Sequence, residues 1–387
     1  MKILVAAGSF KDVYTPIESC NMLETLLVGE HIVHGIPMCD GGENTLRVLR
    51  EFFGKQARTE IADSILDPVG RAVKVPYLSV GDTAYLVSAE ILHLSLEEDE
   101  YKNPLELTDY GLGQLLLHVI REGFRKIRLC LGGTSTIGFG LGTAQALGAV
   151  FTGTDGMPLP APICLRDYEK ISSICWGGER YSDIELTLIN DGITRACDLS
   201  TVNPLKIGRH FAAEKAEILQ RVDELAEKVF EVTGLTANDA WSGNGGGIYF
   251  GVEPIFHPKY LKGADFFCDL FHLKDYLEQA DLVITGEGRF DNPHLKKIPV
   301  VVAEQAMQTG KPCVLVCGQI GPEWETDGQG IHRIPMLKEQ YGIDVILSCA
   351  EDYGDVPAGG YTAEQLRQLT PSILRKRLTA LGVIKSE

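Results

Sequence analysis

Gly286-Glu287-Gly288-Arg289-Phe290-Asp291 sets two carboxylates around one guanidinium directly after the apolar run ADLVIT. Acids this close repel one another unless a metal, a cation or a donor-rich ligand holds them, so the stretch points to binding or catalysis. Four more stretches follow strand-like runs in the same way. Gly8-Ser9-Phe10-Lys11 places an ammonium beside a turn hydroxyl, which suits an anion or an ordinary surface loop. Asp40-Gly41-Gly42-Glu43 opens a helix, where glycine backbones leave N–H groups at the positive helix end, although Asp40 or Asn44 serves equally as a simple cap. Ala196-Cys197-Asp198, with Asn203-Pro204 beyond it, offers another carboxylate. Gly243-Asn244-Gly245-Gly246-Gly247 allows close approach of a ligand, or makes a tight connection.

A sixth stretch, LCLGGTSTIGFGLGTAQALGA from Leu129 to Ala149, begins as a buried strand and ends as a helix. Between them Gly132 and Gly133 bare the backbone, and Thr134, Ser135 and Thr136 add hydroxyl donors. Standard motifs are missing: there is no GxxxxGK[ST], no HExxH and no zinc-spaced Cys/His set. Gly133-Thr134-Ser135-Thr136-Ile137 fails the GxSxG nucleophile elbow at its last position, which argues against a serine hydrolase.

The elements that must position these residues alternate in type. KILVAAG reads as a strand, PIESCNMLETLLV as a helix, HIVHGIPM as a strand and ENTLRVLREFF as a helix. The same grammar returns in ADLVITG, KPCVLVCG and IDVILSCA, with the helix VVVAEQAMQTG between the first two. Apolar strands separated by helices predict a doubly wound parallel sheet, whose ligands bind beyond the carboxyl ends of the strands. In the middle, AVKVPYLSV and TAYLVSAE form a hairpin about Gly81-Asp82, followed by a helix over 108–123, the strand DIELTLIND and a long helix over about 212–232. Both chain ends, 1–65 and 268–387, are therefore expected to build one Rossmann- or flavodoxin-like α/β domain, with 66–267 inserted as a second α/β domain and a ligand cleft between them.

Composition sets the limits. A chain of 387 residues exceeds one ordinary core and suits two. With 44% hydrophobic and 23% charged residues it reads as soluble globular protein, without an apolar stretch of the ~20 residues that a bilayer span needs. The opening MKILVAAGSFKDVY reads as a strand rather than a signal peptide. A net charge of −17 argues against a nucleic-acid partner. The basic cluster Arg375-Lys376-Arg377 reads as the solvated last turn of a helix. Ten scattered cysteines without a CxxC pair suggest reduced thiols and a cytoplasmic setting.

The order of the stretches resembles the type I glycerate kinases. KILVAAGSFK, PMCDGGENT, DPVGR, NPLELTDYGLGQL, GGTSTIGFGLGTAQALGA, RACDLSTVNPL, DLVITGEGRFD and KKIPVVVA fall in the sequence expected for that family. The resemblance implies its two-domain α/β fold and ATP- and Mg²⁺-dependent phosphorylation of a hydroxyl on glycerate or a related small hydroxy acid. It also implies a site. Ser9, Asp40, Glu43, Asn203, Glu287 and Arg289 would bind the substrate, and Gly132, Gly133, Thr134, Thr136, Gly286, Gly288 and Lys297 the nucleotide phosphates. Lys11, Asp198 and Asp291 would be catalytic, with Lys11 or Arg289 on a carboxylate or phosphate. Asp198 and Asp291 would share Mg²⁺ coordination and receipt of the hydroxyl proton.

The chain departs from the family at several polar positions. Gly8 stands where an Asp is usual, Asn44 where a Gly follows the Glu, and Ile137-Gly138 where an Asn-Asp pair is usual. The loop after Asn203-Pro204 is shortened and the Ala-Gly-rich loop becomes SGNGGGIYFG. These changes predict either altered acid specificity or an inactive homologue that binds nucleotide or a small acid as a regulator, with the region beside Thr136 made more apolar. Oligomeric state is left open, a homodimer included.

Overall fold

The structure is a computed structural model and describes residues 1–10, 13–177, 181–198, 206–291, 297–322, 324, 330–353 and 361–385. Its strands are β1 (Lys2–Ala7), β2 (Ile32–Gly35), β3 (Ala57–Leu66), β4 (Ala72–Val80), β5 (Thr83–Val87), β6 (Lys126–Leu131), β7 (Val150–Gly153), β8 (Ile171–Cys175), β9 (Glu185–Asn190), β10 (Lys259–Lys262), β11 (Leu282–Phe290), β12 (Cys313–Ile320), β13 (Ile331–His332) and β14 (Val345–Ser348). They belong to two compact units, Met1–Asp40 with Ala264–Glu387, and Gly41–Gly263.

The discontinuous unit holds a sheet in the order β13-β14-β12-β11-β1-β2. All neighbours are parallel except the β13–β14 pair. The central strands β1, β11 and β12 are buried on both faces over most of their length, which is why they read as unbroken apolar runs. Helix Pro16–Leu27 starts on a capping box, Thr15 with Glu18, and on Pro16 at its first turn. It shares a core with the C-terminal helix Ala363–Ala380 and the sheet through Leu23, Leu27, Ile284, Val316, Leu347 and Leu374. Helix Ile298–Gln308 packs on β11, β1 and β12. The chain runs from β1 outward to β2 and later from β11 outward to β12 and β14, so the strand order reverses between β1 and β11.

The second unit carries the sheet β10-β9-β6-β5-β4-β3 and a separate antiparallel pair, β7 with β8. Strands β5, β6, β9 and β10 are parallel, while β3 and β4 are antiparallel additions. The β4–β5 hairpin turns at Gly81, whose φ of 59° a bare backbone adopts without strain. The long helix spans Lys215–Thr233 and stops at Gly234 in the left-handed region, with φ 68°.

The first crossing between units lies at 40/41 and not at 65/66. Helix Thr45–Phe53 packs on β3, β4 and β5, with the Phe53 ring 5.6 Å from that of Tyr85, which ties it to the second unit. β3 itself was not legible as a strand, because its charged and polar residues hide the alternation at the sheet's edge. The basic cluster also differs from expectation. Arg377 is only 4% exposed and pairs with Asp352. None of the ten cysteines is in a disulfide. Among the described residues no helix is long and apolar enough to cross a membrane.

Candidate functional site

In the discontinuous unit the carboxyl ends of β1 and β11 form the topological switch point. β1 stops at Ala7 opposite Gly286, but β11 runs on to Phe290 against β12 alone, pairing Glu287 with Cys317 and Arg289 with Gln319. Glu287 and Arg289 therefore stand past the end of their neighbour. The first loop is laced to this extension: the Gly8 amide donates to Gly286 O at 2.9 Å and the Gly288 amide to Ser9 O at 3.1 Å.

Burial pushes the Glu287 carboxyl up to about 8; Lys297 opposes the shift, and the neighbouring Asp291 and Asp40 carboxylates add to it. Asp40, Glu287, Asp291 and Lys297 thus form one electrostatic group. Arg289 Nε lies 3.6 Å from Asp291 Oδ2 with both side chains exposed, so the guanidinium remains accessible. Asp291 is fixed through its backbone, where Trp324 Nε1 donates to its carbonyl at 2.9 Å while the indole stacks on Phe290. Lys297 precedes the first residue of helix Ile298–Gln308. Beside the group opens a cavity of about 490 Å³ whose walls include Phe10, Gly288, Arg289, Gln319, Tyr353 and Tyr361.

In the second unit the loop after β6 lies among the ends of β5 and β9. Ser88 Oγ donates to Gly132 O at 3.0 Å and accepts from the Gly132 amide at 3.1 Å. The Ser135 amide donates to Leu92 O, and Ser135 Oγ accepts from the Leu94 amide. From the other side the Phe139 amide donates to Gly246 O at 2.9 Å, so the two glycine-rich stretches brace each other. Glu43 approaches Gly133 from the start of the unit, and His93 Nδ1 lies 3.2 Å from Gly133 O.

The glycines answer to the chain itself. A Cβ on Gly132 would lie 2.6 Å from Asp191 Oδ2, and one on Gly286 would lie 2.9 Å from Val316 O. The Gly132 and Gly288 amides, expected to face phosphate, donate here to Ser88 Oγ and Ser9 O. Ala196–Asp198 is a short turn held by the Ala196 amide on Ser242 Oγ, and leaves Asp198 exposed. Asp198 belongs to the second unit and Asp291 to the first. Lys11 and Asn203 lie outside the described residues.

Two site residues escape a reading of the sequence. Asp109 is 1% exposed and accepts from the Gly140 amide at 2.9 Å, the Thr143 amide at 2.6 Å and Thr143 Oγ1 at 3.2 Å. Burial pushes its carboxyl up to about 6 against those three donors. It stands next to Gly138, so the region expected to be apolar holds a carboxylate supplied from another part of the chain. Its signal was an Asp just before the helix Tyr110–Arg121; the carboxylate, however, caps the turn into a different helix, Leu141–Ala146. The second is Lys206, whose Nζ donates to Thr134 Oγ1 at 3.0 Å and to Thr136 O at 2.7 Å. A lone lysine in LKIGRHF carries no local signal.

A model of the glycerate kinase family matches residues 3–351. A glycerate kinase from Bacillus cereus is 27% identical over 100% of this chain and 99% of its own. The glycerate 2-kinase of Escherichia coli is 26% identical over 92% of each chain. A crystal structure from Salmonella typhimurium LT2, of a protein described as a glycerate kinase 2, superposes with a TM-score of 0.67 over 100% of both chains at 24% identity, which speaks to the fold.

Proposed function

The chain belongs to the glycerate kinase family and is a kinase, and from that premise we propose that it transfers a phosphoryl group from ATP to a hydroxyl of glycerate or a closely related small hydroxy acid. The observation that carries this reading is the charged group at the switch point: Glu287, Asp291 and Asp40 with Lys297, and Arg289 beside them.

These residues suit the cofactors that the reaction requires. Mg²⁺ is commonly held by one or two carboxylates together with substrate phosphates, and Asp291 with its accessible side chain fits that role. Asp291 would hold the ion, which would supply positive charge to offset that of the phosphate groups. Arg289 supplies a planar fork for the acid's carboxylate. Lys297 places a cation for a phosphate oxygen. Glu287, whose carboxyl burial pushes up to about 8, is in its ionised form the acceptor for the proton of the attacking hydroxyl, so turnover should rise as pH approaches 8. Ser9 and Asp40, in the same unit as Arg289, are proposed contacts of the acid.

The test is direct. Purified protein with ATP, Mg²⁺ and D-glycerate is expected to form ADP and a phosphoglycerate, followed by phosphorus NMR. Failure to phosphorylate glycerate or any of a panel of small hydroxy acids overturns the proposal, and binding without turnover identifies an inactive homologue.

A further inference from the structure

We propose that Lys206 is the cation of an oxyanion site on the Thr134–Thr136 loop of the second unit, where it takes a phosphoryl oxygen of the nucleotide or the carboxylate of the acid. Two observations independent of each other meet there. The ammonium has three N–H donors, and two of them are spent on Thr134 Oγ1 and Thr136 O. Those acceptors are neutral. Thr136 Oγ1 is fully buried, and no partner for it exists among the described residues.

Among the described residues this half-buried lysine has only a hydroxyl and a carbonyl as acceptors and no contact ion pair, so its ammonium pays desolvation with little return. Burial pulls its pKa down to about 8, and the facing charge that opposes the shift is the Asp191 carboxylate at the end of β9. Asp191 packs against Gly132, at the base of the same loop. A ligand oxyanion would satisfy the third donor and return the lost electrostatic stabilisation, which a loop clamp alone would not require. Which anion is taken rests on the kinase reading given above; that an anion is taken does not.

The experiment is titration calorimetry on the whole protein with three probes, inorganic phosphate, Mg²⁺-ATP and D-glycerate, at pH 7 and pH 9.5, for wild type, Lys206→Gln and Lys206→Arg. Wild type is expected to bind at least one probe and to lose ~10-fold or more of that affinity at the higher pH, because a group titrating near 8 is mostly neutral there. Lys206→Gln should lose ~10-fold or more at pH 7 and be flat with pH. Lys206→Arg should keep part of the binding and also be flat, since a guanidinium stays charged. Selective loss of Mg²⁺-ATP names the phosphoryl source, and selective loss of glycerate names the carboxylate. If Lys206→Gln binds all probes as wild type does and only unfolds at lower temperature, or if wild type binds none of them, the inference fails. Turnover in wild type with unchanged affinities in Lys206→Gln would sink it while leaving the kinase reading intact; lost affinity without turnover in any variant would do the reverse.

Discussion

The carboxylate of Asp109 fills the space beside Gly138: a Cβ at position 138 would overlap Oδ2. Asp109 in turn holds the amides of Gly140 and Thr143, so one acid fixes the whole turn from the loop into helix Leu141–Ala146. Asp109→Ala removes the acceptor of the buried Gly140 and Thr143 amides and should cost ~2–4 kcal/mol. Gly138→Ala should cost a similar amount in the wild-type background but much less in Asp109→Ala, where the obstructing oxygen is gone. Urea unfolding of the four proteins in a double-mutant cycle checks this; simple additivity would mean that the two positions do not share the space.

The loop Gly243–Gly247 makes a second steric prediction. A Cβ on Gly246 would overlap Thr136 O, and its φ of 79° is left-handed. Gly246→Ala should therefore lower stability by ~2 kcal/mol or more, which for a unit of this size is a melting-temperature loss of ~4–8 °C. The loss should come with faster amide exchange at Phe139, whose N–H donates to Gly246 O. Unchanged exchange at Phe139 would show that the two loops do not support each other.

Elements built on local signals could be read from the sequence. The capping box of Thr15 and Glu18, the Pro299 start and the apolar runs of β1, β11 and β12 are each written within a few residues. The charged group at 287–291 was legible for the same reason: its members are contiguous. Asp109 and Lys206 act across 31 or more and 70 or more residues, and no spacing rule reaches that far. Glycine misleads in a particular way. A bare backbone is needed both where a ligand approaches and where the chain packs on itself, and Gly132 and Gly286 prove to be packed on the chain.

Arg377 is tied into a buried charged cluster and not exposed to solvent. Its guanidinium lies 3.0 Å from Asp352 Oδ2 and 4.0 Å from Glu351 Oε2, and Glu351 also meets His332 Nε2 at 3.1 Å and Ser348 Oγ. This group ties helix Ala363–Ala380 to β13 and β14. Removing one partner of a buried pair leaves the other uncompensated, so Arg377→Met should cost ~2–4 kcal/mol, discounted from the fully buried case because Asp352 keeps 28% of its side-chain surface. Lys376→Met, one residue away with 72% exposure, should change stability by less than ~0.5 kcal/mol. Chemical denaturation of both variants is the check; equal effects would return Arg377 to the surface.

Glu287 should make stability fall as pH rises. Burial raises its folded pKa to about 8, above the ordinary glutamate value, so the folded protein keeps a proton that the unfolded chain gives up. Below pH 4 the carboxyl is protonated in both states and contributes no difference. Between about 4.5 and 8 the folded state binds more protons, and stability is lost step by step until the charged form is buried at its full cost. Glu287→Gln keeps the size without the charge, so it should be more stable than wild type by ~1–3 kcal/mol at pH 8.5 after allowance for solvent screening, with the gap closing at pH 4. Melting curves of both proteins across that range measure it directly, and a gap that is constant with pH would place the titration elsewhere. If Glu287 also accepts the hydroxyl proton, Glu287→Gln gains this stability while losing ~100-fold or more in kcat, a pairing that a purely structural carboxyl would not produce.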